Sequence, residues 1–297
     1  MARRPWLEDC GLKAGPQTGE AAIQGQDITI RKVTPVIGAE LHGIDLSRPL
    51  GNEAFQVVHD ALMDNLVVFF RNQRMDHAQQ KEFGRRFGAL HVHPAAPSVP
   101  GHPEVMVIHA DANSKFVNGE GWHSDVSCDP EPPMGSVLHM RTLPDVGGDT
   151  LFANMYAAFE ALSLPMRTML TGLSAVHDGE GLYRGRYGTD DRGRVYPRAE
   201  HPVVRTHPVT GRQALFVNSF FTTRILGLHK AESDALLAFL FRHIETPEFQ
   251  CRFRWEPGSV AFWDNRASQH HALWDYFPHT RTGTRVTVAG DRPFHRA

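Results

Sequence analysis

From Ile28 the chain alternates apolar and polar positions. The stretch ITIRKVTPVIGAELHGIDLS has the period of two of a half-buried strand, punctuated by Pro35 and Gly38. Asn52 precedes EAFQVVHDALMDN, where Phe55, Val57, Val58, Ala61 and Leu62 gather on one helical face. LVVFFR, at 66–71, is a short continuous apolar run rich in β-branched and aromatic residues, and predicts a buried strand. Asp76 is suited to cap a helix over HAQQKEFGRRFG, with Gln79 three residues on to close a capping box and Gly88 to end it. After a Pro/Gly-rich loop at 93–103, PEVMVIHA and GSVLHMRTL predict strands. DVGGDT is a turn before LFANM, and a helix over 156–172 breaks near Ser163, Leu164 and Pro165. VVRTHP, QALFVN, CRFRW, SVAFW and the closing RVTVAG are further strand candidates. AESDALLAFLFRHIE is the clearest amphipathic helix, with Leu236, Leu237, Leu240, Phe241 and Ile244 on one side. Many strands with helices outside the strand runs predict a β-sandwich or barrel decorated by helices.

Three stretches lack any period. Residues 1–27 read as a flexible N-terminal extension, leaving 28–297 as a single domain with no linker or repeat inside it. Residues 111–121 and 179–200 are polar, glycine-containing loops, and long loops in compact domains are often lids.

Charge and composition narrow the function. The 297 residues carry 31 basic and 33 acidic side chains, a formal net charge of −2, with no basic block interleaved with aromatics; this argues against nucleic acid as a partner. No apolar run reaches the length of a membrane span, and the N-terminus lacks the apolar segment of a secretory signal. The three cysteines, Cys10, Cys128 and Cys251, are widely spaced, which fits a reducing cytoplasm and neither a disulfide framework nor a thiolate zinc site. The 18 histidines leave room for a nitrogen-ligated metal.

GWHSDVS, at 121–127, sets His123 and Asp125 at strand spacing, so imidazole and carboxylate point to one face. By itself the pair also fits a solvated strand end. A third ligand is available in WDNRASQHHALWDY, where His270 follows a strand and a turn; its neighbour His271 cannot face the core as well. Two imidazoles and one carboxylate on one face of an octahedron form the donor set of non-haem Fe(II) oxygenases, whose open positions take a 2-oxo acid and then dioxygen. The 2-oxo acid needs a cation, and Arg281 lies eleven residues after His270. Arg285, four residues on, shares its strand face with Arg281 and Gly283. Two arginines on one face of an interior strand are costly unless anions pair with them, and 2-oxoglutarate and an acidic substrate would supply two. Thr150, ending GGDT, adds a hydroxyl donor for a carboxylate. The alternative for all three is an ordinary solvent-facing strand or turn.

WHSDVS, PDVGGDTLFANMYAAFEALS, HPVVRTHPVTGRQALFVN, FTTRI, WDNRASQH and RVTVAGDRPFHRA together resemble the taurine dioxygenase and 2,4-dichlorophenoxyacetate dioxygenase family of Fe(II)/2-oxoglutarate-dependent oxygenases, from about Ile28 to the C-terminus. The resemblance implies a mainly β fold with α, a double-stranded β-helix (jelly-roll) core with outer helices. It implies that His123, Asp125 and His270 bind Fe(II) and form the catalytic centre, and that Thr150 and Arg281 bind 2-oxoglutarate ahead of dioxygen. His93, in FGALHVHP, and Arg285 match positions that hold the substrate's acid group, and Val126 and Phe221 match apolar residues of that pocket. Ala96 and Gly119 stand where taurine-specific relatives carry tyrosine and asparagine for the amine, with Asn118 adjacent to the second position. The implied substrate is therefore a small organic anion other than taurine: a sulfonate, sulfate ester or aryloxyalkanoate hydroxylated next to the heteroatom, with release of sulfite, sulfate or phenol. Taurine itself is the alternative. A homodimer or homotetramer is implied as well. A cupin-type metal-dependent isomerase or hydrolase, or a non-catalytic jelly-roll binding protein, is the reading from a different class; the first has no need of Arg281, and the second none of the three metal-ligand candidates.

Overall fold

The computed structural model describes residues 28–187 and 191–296; the extension expected at 1–27 lies outside them. In chain order the strands are β1 (Thr29–Lys32), β2 (Ala39–His42), β3 (Val67–Phe70), β4 (Leu90–His91), β5 (Ser98–Val99), β6 (His102–Ala110), β7 (Gly135–Thr142), β8 (Thr150–Asn154), β9 (Ser174–Asp178), β10 (Arg198–Pro202), β11 (Val204–Thr206), β12 (Gln213–Leu215), β13 (Thr222–Ile225), β14 (Gln250–Phe253), β15 (Val260–Asp264), β16 (Ser268–Ala272) and β17 (Arg281–Val288). The helices are α1 (Asn52–Asn65), α2 (His77–Arg85), α3 (Met155–Glu160), α4 (Leu164–Thr171), α5 (Glu180–Tyr183) and α6 (Lys230–Ile244).

The main sheet has nine strands, ordered β1-β2-β3-β15-β7-β17-β6-β5 with β4 also on β17. Its pairs are antiparallel except β2 with β3. A three-stranded sheet, β14-β8-β16, is joined to the main sheet through an apolar core. The period of two sorts the side chains of β3 and β15 between two cores. Val67, Phe69, Ala261 and Trp263 join the core shared with Phe152 of β8 and Phe253 of β14, and the Phe69 and Phe253 rings stack at 3.8 Å. Val68, Phe70, Val260 and Phe262 join a second core under α1 and α2, with Val58, Leu62 and Phe83. LVVFFR reads as an unbroken apolar run because both faces of this strand are buried. This mainly β architecture with helices on the outside of the large sheet is the expected jelly roll.

Local signals are realised closely. Asp76 accepts from the Gln79 backbone N–H at 2.8 Å and the Gln79 side chain accepts from the Asp76 N–H at 2.8 Å, completing the box. The helix expected over 156–172 is split at Ser163 into α3 and α4. On α6, Leu237, Leu240 and Ile244 are buried. Two expectations change. The single strand read from Ile28 becomes the antiparallel pair β1 and β2, and only β2 alternates between buried and half-buried, since β1 is an exposed edge. The stretch 179–200 contains α5 and enters β10, which pairs with the unforeseen strand β9.

Strand β17 is held between β7 and β6, so its side chains are interior. At Gly283 a Cβ would lie 2.4 Å from the His139 carbonyl oxygen, where the register against β7 shifts. Only glycine permits that approach, and it lies between Arg281 and Arg285.

Candidate active site

The segment holding His123 runs antiparallel beside β16. His123 N–H donates to the His270 carbonyl at 3.1 Å and His270 N–H to the His123 carbonyl at 2.9 Å. This bridge brings the two imidazoles to a centroid distance of 4.1 Å. Asp125 follows two residues on, with Oδ1 at 3.6 Å from His123 Nε2 and 3.8 Å from His270 Nε2. The ligand atoms of the three residues all lie within 4.8 Å of one another, and all three side chains are buried. His271 turns the other way, half-buried, edge-on to Trp122. Directly after Asp125, Val126 sits at φ 48, a left-handed conformation that a β-branched residue rarely adopts. Such strain concentrates at functional sites.

The surroundings orient the donors. His123 Nδ1 is 2.9 Å from the Gly121 carbonyl, which can only accept, so Nδ1 carries the hydrogen and Nε2 offers its lone pair to the cluster. Asp125 Oδ2 accepts from Ser136 Oγ at 2.7 Å, and the Asp125 backbone N–H donates to Asn265 Oδ1 at 3.2 Å. Asn265 is itself fixed by the Trp263 indole N–H at 3.0 Å and donates to Ser136 Oγ at 3.2 Å. Arg285 Nη1 donates to Asp125 Oδ1 at 2.5 Å. Burial alone would raise the Asp125 carboxyl, but the Arg285 guanidinium and the flanking histidines outweigh it and hold the group well below the usual carboxylate range. Burial, reinforced by His123, keeps His270 neutral, as a metal ligand must be.

Further along β17, Arg281 is buried and donates from Nε to the Gly148 carbonyl at 3.1 Å. Its guanidinium carbon lies 5.7 Å from the Trp255 ring centroid, and the Trp255 N–H donates to Thr150 Oγ1 at 2.9 Å. Thr150, Trp255 and Arg281 thus form one cluster. The nearby Asp149 is taken by Arg252 at 2.6 Å, and no carboxylate hydrogen-bonds Arg281 among the described residues. Thr150 pairs with Ala272, two residues beyond His270.

A cleft open to solvent lies against His123 and Asp125, two of the three metal-ligand candidates. His93, Val126, Phe221 and Arg285 line it together with His123 and Asp125, so the expected substrate residues share one space with two of the three expected ligands. His93 Nδ1 accepts from the Ala95 and Ala96 N–H groups at 3.1 and 2.8 Å, which leaves the ring hydrogen on Nε2. Burial, aided by Arg285, pushes His93 down to about 3, so it is a neutral donor. Arg285 Nε is buried with no hydrogen-bond partner, an orphaned donor at the cleft.

Several site residues escaped the reading of the sequence. Asn265 stands inside WDNRASQH and Ser136 is a polar residue of a buried strand, so each left a trace. Gly148 stands inside GGDT, Trp255 ends CRFRW, and Arg186 and Tyr187, which also line the cleft, fall in the loop 179–200, but nothing in the sequence showed their roles, which depend on contacts across the fold.

Comparison with known proteins agrees with this geometry. Residues 29–287 match the family described as taurine catabolism dioxygenase TauD, TfdA family. The chain is 36% identical to an alpha-ketoglutarate-dependent sulfate ester dioxygenase of Pseudomonas putida, over 90% of this chain and 91% of that protein. It is 34% identical to an alkylsulfatase of Acinetobacter baylyi, over 90% of this chain and 86% of the other. The crystal structure of a taurine dioxygenase from Burkholderia xenovorans superposes with a TM-score of 0.78 at 40% identity, covering 90% of this chain and 92% of that one. With a match that spans the strands, the buried His-Asp-His cluster and the arginines of β17, the chain belongs to the TauD, TfdA family of dioxygenases.

Proposed function

We propose that this protein is an Fe(II)/2-oxoglutarate-dependent dioxygenase that hydroxylates the carbon next to the heteroatom of a small sulfonate or sulfate ester. The observation that carries the reading is the buried cluster of two imidazoles and one carboxylate, opening into the same cleft as Arg285 and His93. The donor set fits iron: His123 has its tautomer fixed with Nε2 toward the cluster, His270 is neutral, and Asp125 is ionised. Iron(II) held by His123, Asp125 and His270 supplies the activation of dioxygen, with 2-oxoglutarate oxidised to succinate and carbon dioxide.

The chain's own residues bind and orient. Arg281, with the Gly148 carbonyl holding its Nε, and Thr150 take the distal carboxylate of 2-oxoglutarate. Arg285, through its unpartnered Nε, and His93, through Nε2–H, take the acid head of the substrate. That anchoring fixes which C–H faces the metal centre, while Val126 and Phe221 keep water from it. Hydroxylation leaves an unstable carbon bearing both hydroxyl and leaving group, which collapses to an aldehyde with release of sulfite or sulfate. No protein base with a raised pKa is needed. The relatives named for sulfate esters and sulfonates support this substrate range. The likeness to the Burkholderia taurine dioxygenase keeps taurine as a second reading. A cupin-type isomerase is disfavoured by Arg281, which it would leave buried without an anion. Among the described residues no helix is long and apolar enough to cross a membrane, and the buried free thiols of Cys128 and Cys251 support a reducing, cytoplasmic location.

The test is succinate formation with Fe(II), ascorbate, oxygen and 2-oxoglutarate across alkyl sulfonates, alkyl sulfates, taurine and aryloxyalkanoates. Stimulation by a sulfonate or sulfate ester is expected. Succinate stimulated by none of them would remove the proposal.

A further inference from the structure

The cleft carries a second guanidinium. Arg186, just after α5, lines the same space as Arg285. It is held there by donating from Nη2 to the Val117 carbonyl at 2.7 Å and by lying 4.5 Å over the Phe116 ring centroid. Beside it, the Tyr187 hydroxyl donates to Asn118 Oδ1 at 3.1 Å, while its ring stands edge-on to His93 and Phe116. Both loops expected to flank the site therefore meet over the cleft and are tied to each other there.

The charge inventory of this cleft is one-sided. Among the described residues its charged side chains are Arg186, Arg285 and Asp125, and Asp125 is committed to Arg285 and to the two ligand histidines. The one carboxamide oxygen, on Asn118, already accepts from Tyr187. The rest of the wall is apolar or aromatic, including Met106, Val126, Leu182, Phe220 and Phe221. Among the described residues, a cationic group on a bound substrate would meet two guanidiniums and no free carboxylate. Its desolvation would go unrepaid, whereas an uncharged alkyl or aryl tail gains apolar contact.

We propose that Arg186, together with the Tyr187–Asn118 pair, is the specificity device of this site: it selects monoanionic acids with an uncharged apolar tail and rejects zwitterionic aminosulfonates. The inference rests on the function proposed above and narrows its substrate class. Arg186 is tied to the Val117 carbonyl and the Phe116 ring rather than to a metal-ligand candidate, and with the acid head assigned to Arg285 and His93 it is left to act on the tail.

The experiment compares 1-propanesulfonate with taurine, two sulfonates of the same heavy-atom count that differ by methyl against ammonium. The readout is the ratio of their kcat/KM values, measured by succinate formation at pH 7. The wild-type ratio is expected to favour propanesulfonate by ~100-fold, the scale on which an apolar pocket rejects an isostere that adds a polar group. Arg186→Met is expected to lower that ratio by about tenfold, as loss of one like-charge contact of about 1.4 kcal/mol implies, while Arg186→Lys retains it. Tyr187→Phe, which frees the Asn118 carboxamide, is expected to move the ratio the same way. An unchanged KM for 2-oxoglutarate in each variant shows that the fold and the iron site are intact. A wild-type ratio near one, or a ratio that Arg186→Met does not move, overturns the inference and leaves the proposed function standing. Better turnover of 1,3-propanedisulfonate than of propanesulfonate overturns it too, since Arg186 would then be a second anion site. Succinate stimulated by no sulfonate or sulfate ester at all overturns the proposed function itself and this inference with it.

Discussion

Arg285 has two jobs that one substitution separates. In the protein without metal it is the partner of Asp125, at 2.5 Å, and both side chains are buried. Arg285→Ala leaves the carboxylate enclosed with the two imidazoles. Breaking a buried ion pair from one side costs about 3–5 kcal/mol, and proton uptake by Asp125 limits the loss to the lower end, ~3 kcal/mol. A divalent cation replaces the missing positive charge, so the deficit shrinks when Mn(II) is bound. The assay is urea unfolding of wild type and variant with chelator and with Mn(II). In turnover, the same substitution removes the charge-assisted bonds from the orphaned Nε to the substrate's acid head. At about 3 kcal/mol the substrate KM rises by roughly 150-fold. The KM for 2-oxoglutarate stays within about threefold if, as proposed, that anion is held by Arg281, four residues or about 13 Å along the strand. The reasoning is refuted by a metal-free destabilisation below about 1 kcal/mol, by a deficit that Mn(II) leaves unchanged, or by equal effects on the two KM values. The last result would mean that the two arginines have exchanged roles.

Other expectations follow from the same geometry. His123→Ala or Asp125→Ala abolishes iron-dependent 2-oxoglutarate turnover, and full activity in either would remove the metal assignment. Ser136→Ala strips a 2.7 Å bond from Asp125 and leaves Asn265 short of an acceptor; Mn(II) affinity measured by titration should fall ~10–100-fold, with far-ultraviolet circular dichroism unchanged. Gly148 has φ +73, and a Cβ there would lie 3.1 Å from Arg281 Cδ, so Gly148→Ala should raise the KM for 2-oxoglutarate about tenfold and leave the substrate KM alone; the opposite pattern would break the link between GGDT and Arg281. Acid should destabilise the fold through His177 and His201, which burial pushes down to about 3 and about 4. Below pH 6.5 the unfolded chain takes up protons that these folded imidazoles refuse, so stability falls as pH drops toward those values, by roughly 2 kcal/mol for each histidine at pH 5. Urea midpoints at pH 8 and pH 5 check this, and equal midpoints would show that neither histidine is held neutral.

What the sequence determined by itself was local or periodic. The capping box of Asp76 and Gln79 spans three residues, and the apolar stripe of α6 is a property of one helix, so both were legible without knowing their neighbours. LVVFFR announced its own burial, since only a strand covered on both faces needs apolar residues at every position. The spacing of Arg281 and Arg285 put that pair on a common face by strand geometry, whereas the strand expected for His123 and Asp125 is an isolated bridge followed by a turn, so it is the turn that brings the carboxylate to the imidazole. Tertiary structure decided what those faces meet. His123 reaches His270 through a backbone bridge between segments far apart in sequence, and Arg285 reaches Asp125 across 160 residues. No periodicity encodes such contacts, because they arise where separate strands pair. The short strands β9 and β10 were invisible for the same reason: a few residues become a strand only when a neighbour supplies the hydrogen bonds. The Gly148 carbonyl behind Arg281, the Trp255 indole on Thr150 and the Tyr187 hydroxyl on Asn118 are also gifts of the fold. The residue types at the reacting centre could be read from the chain, whereas the partners that orient them and the charge of the wall facing the substrate's tail came only from long-range packing.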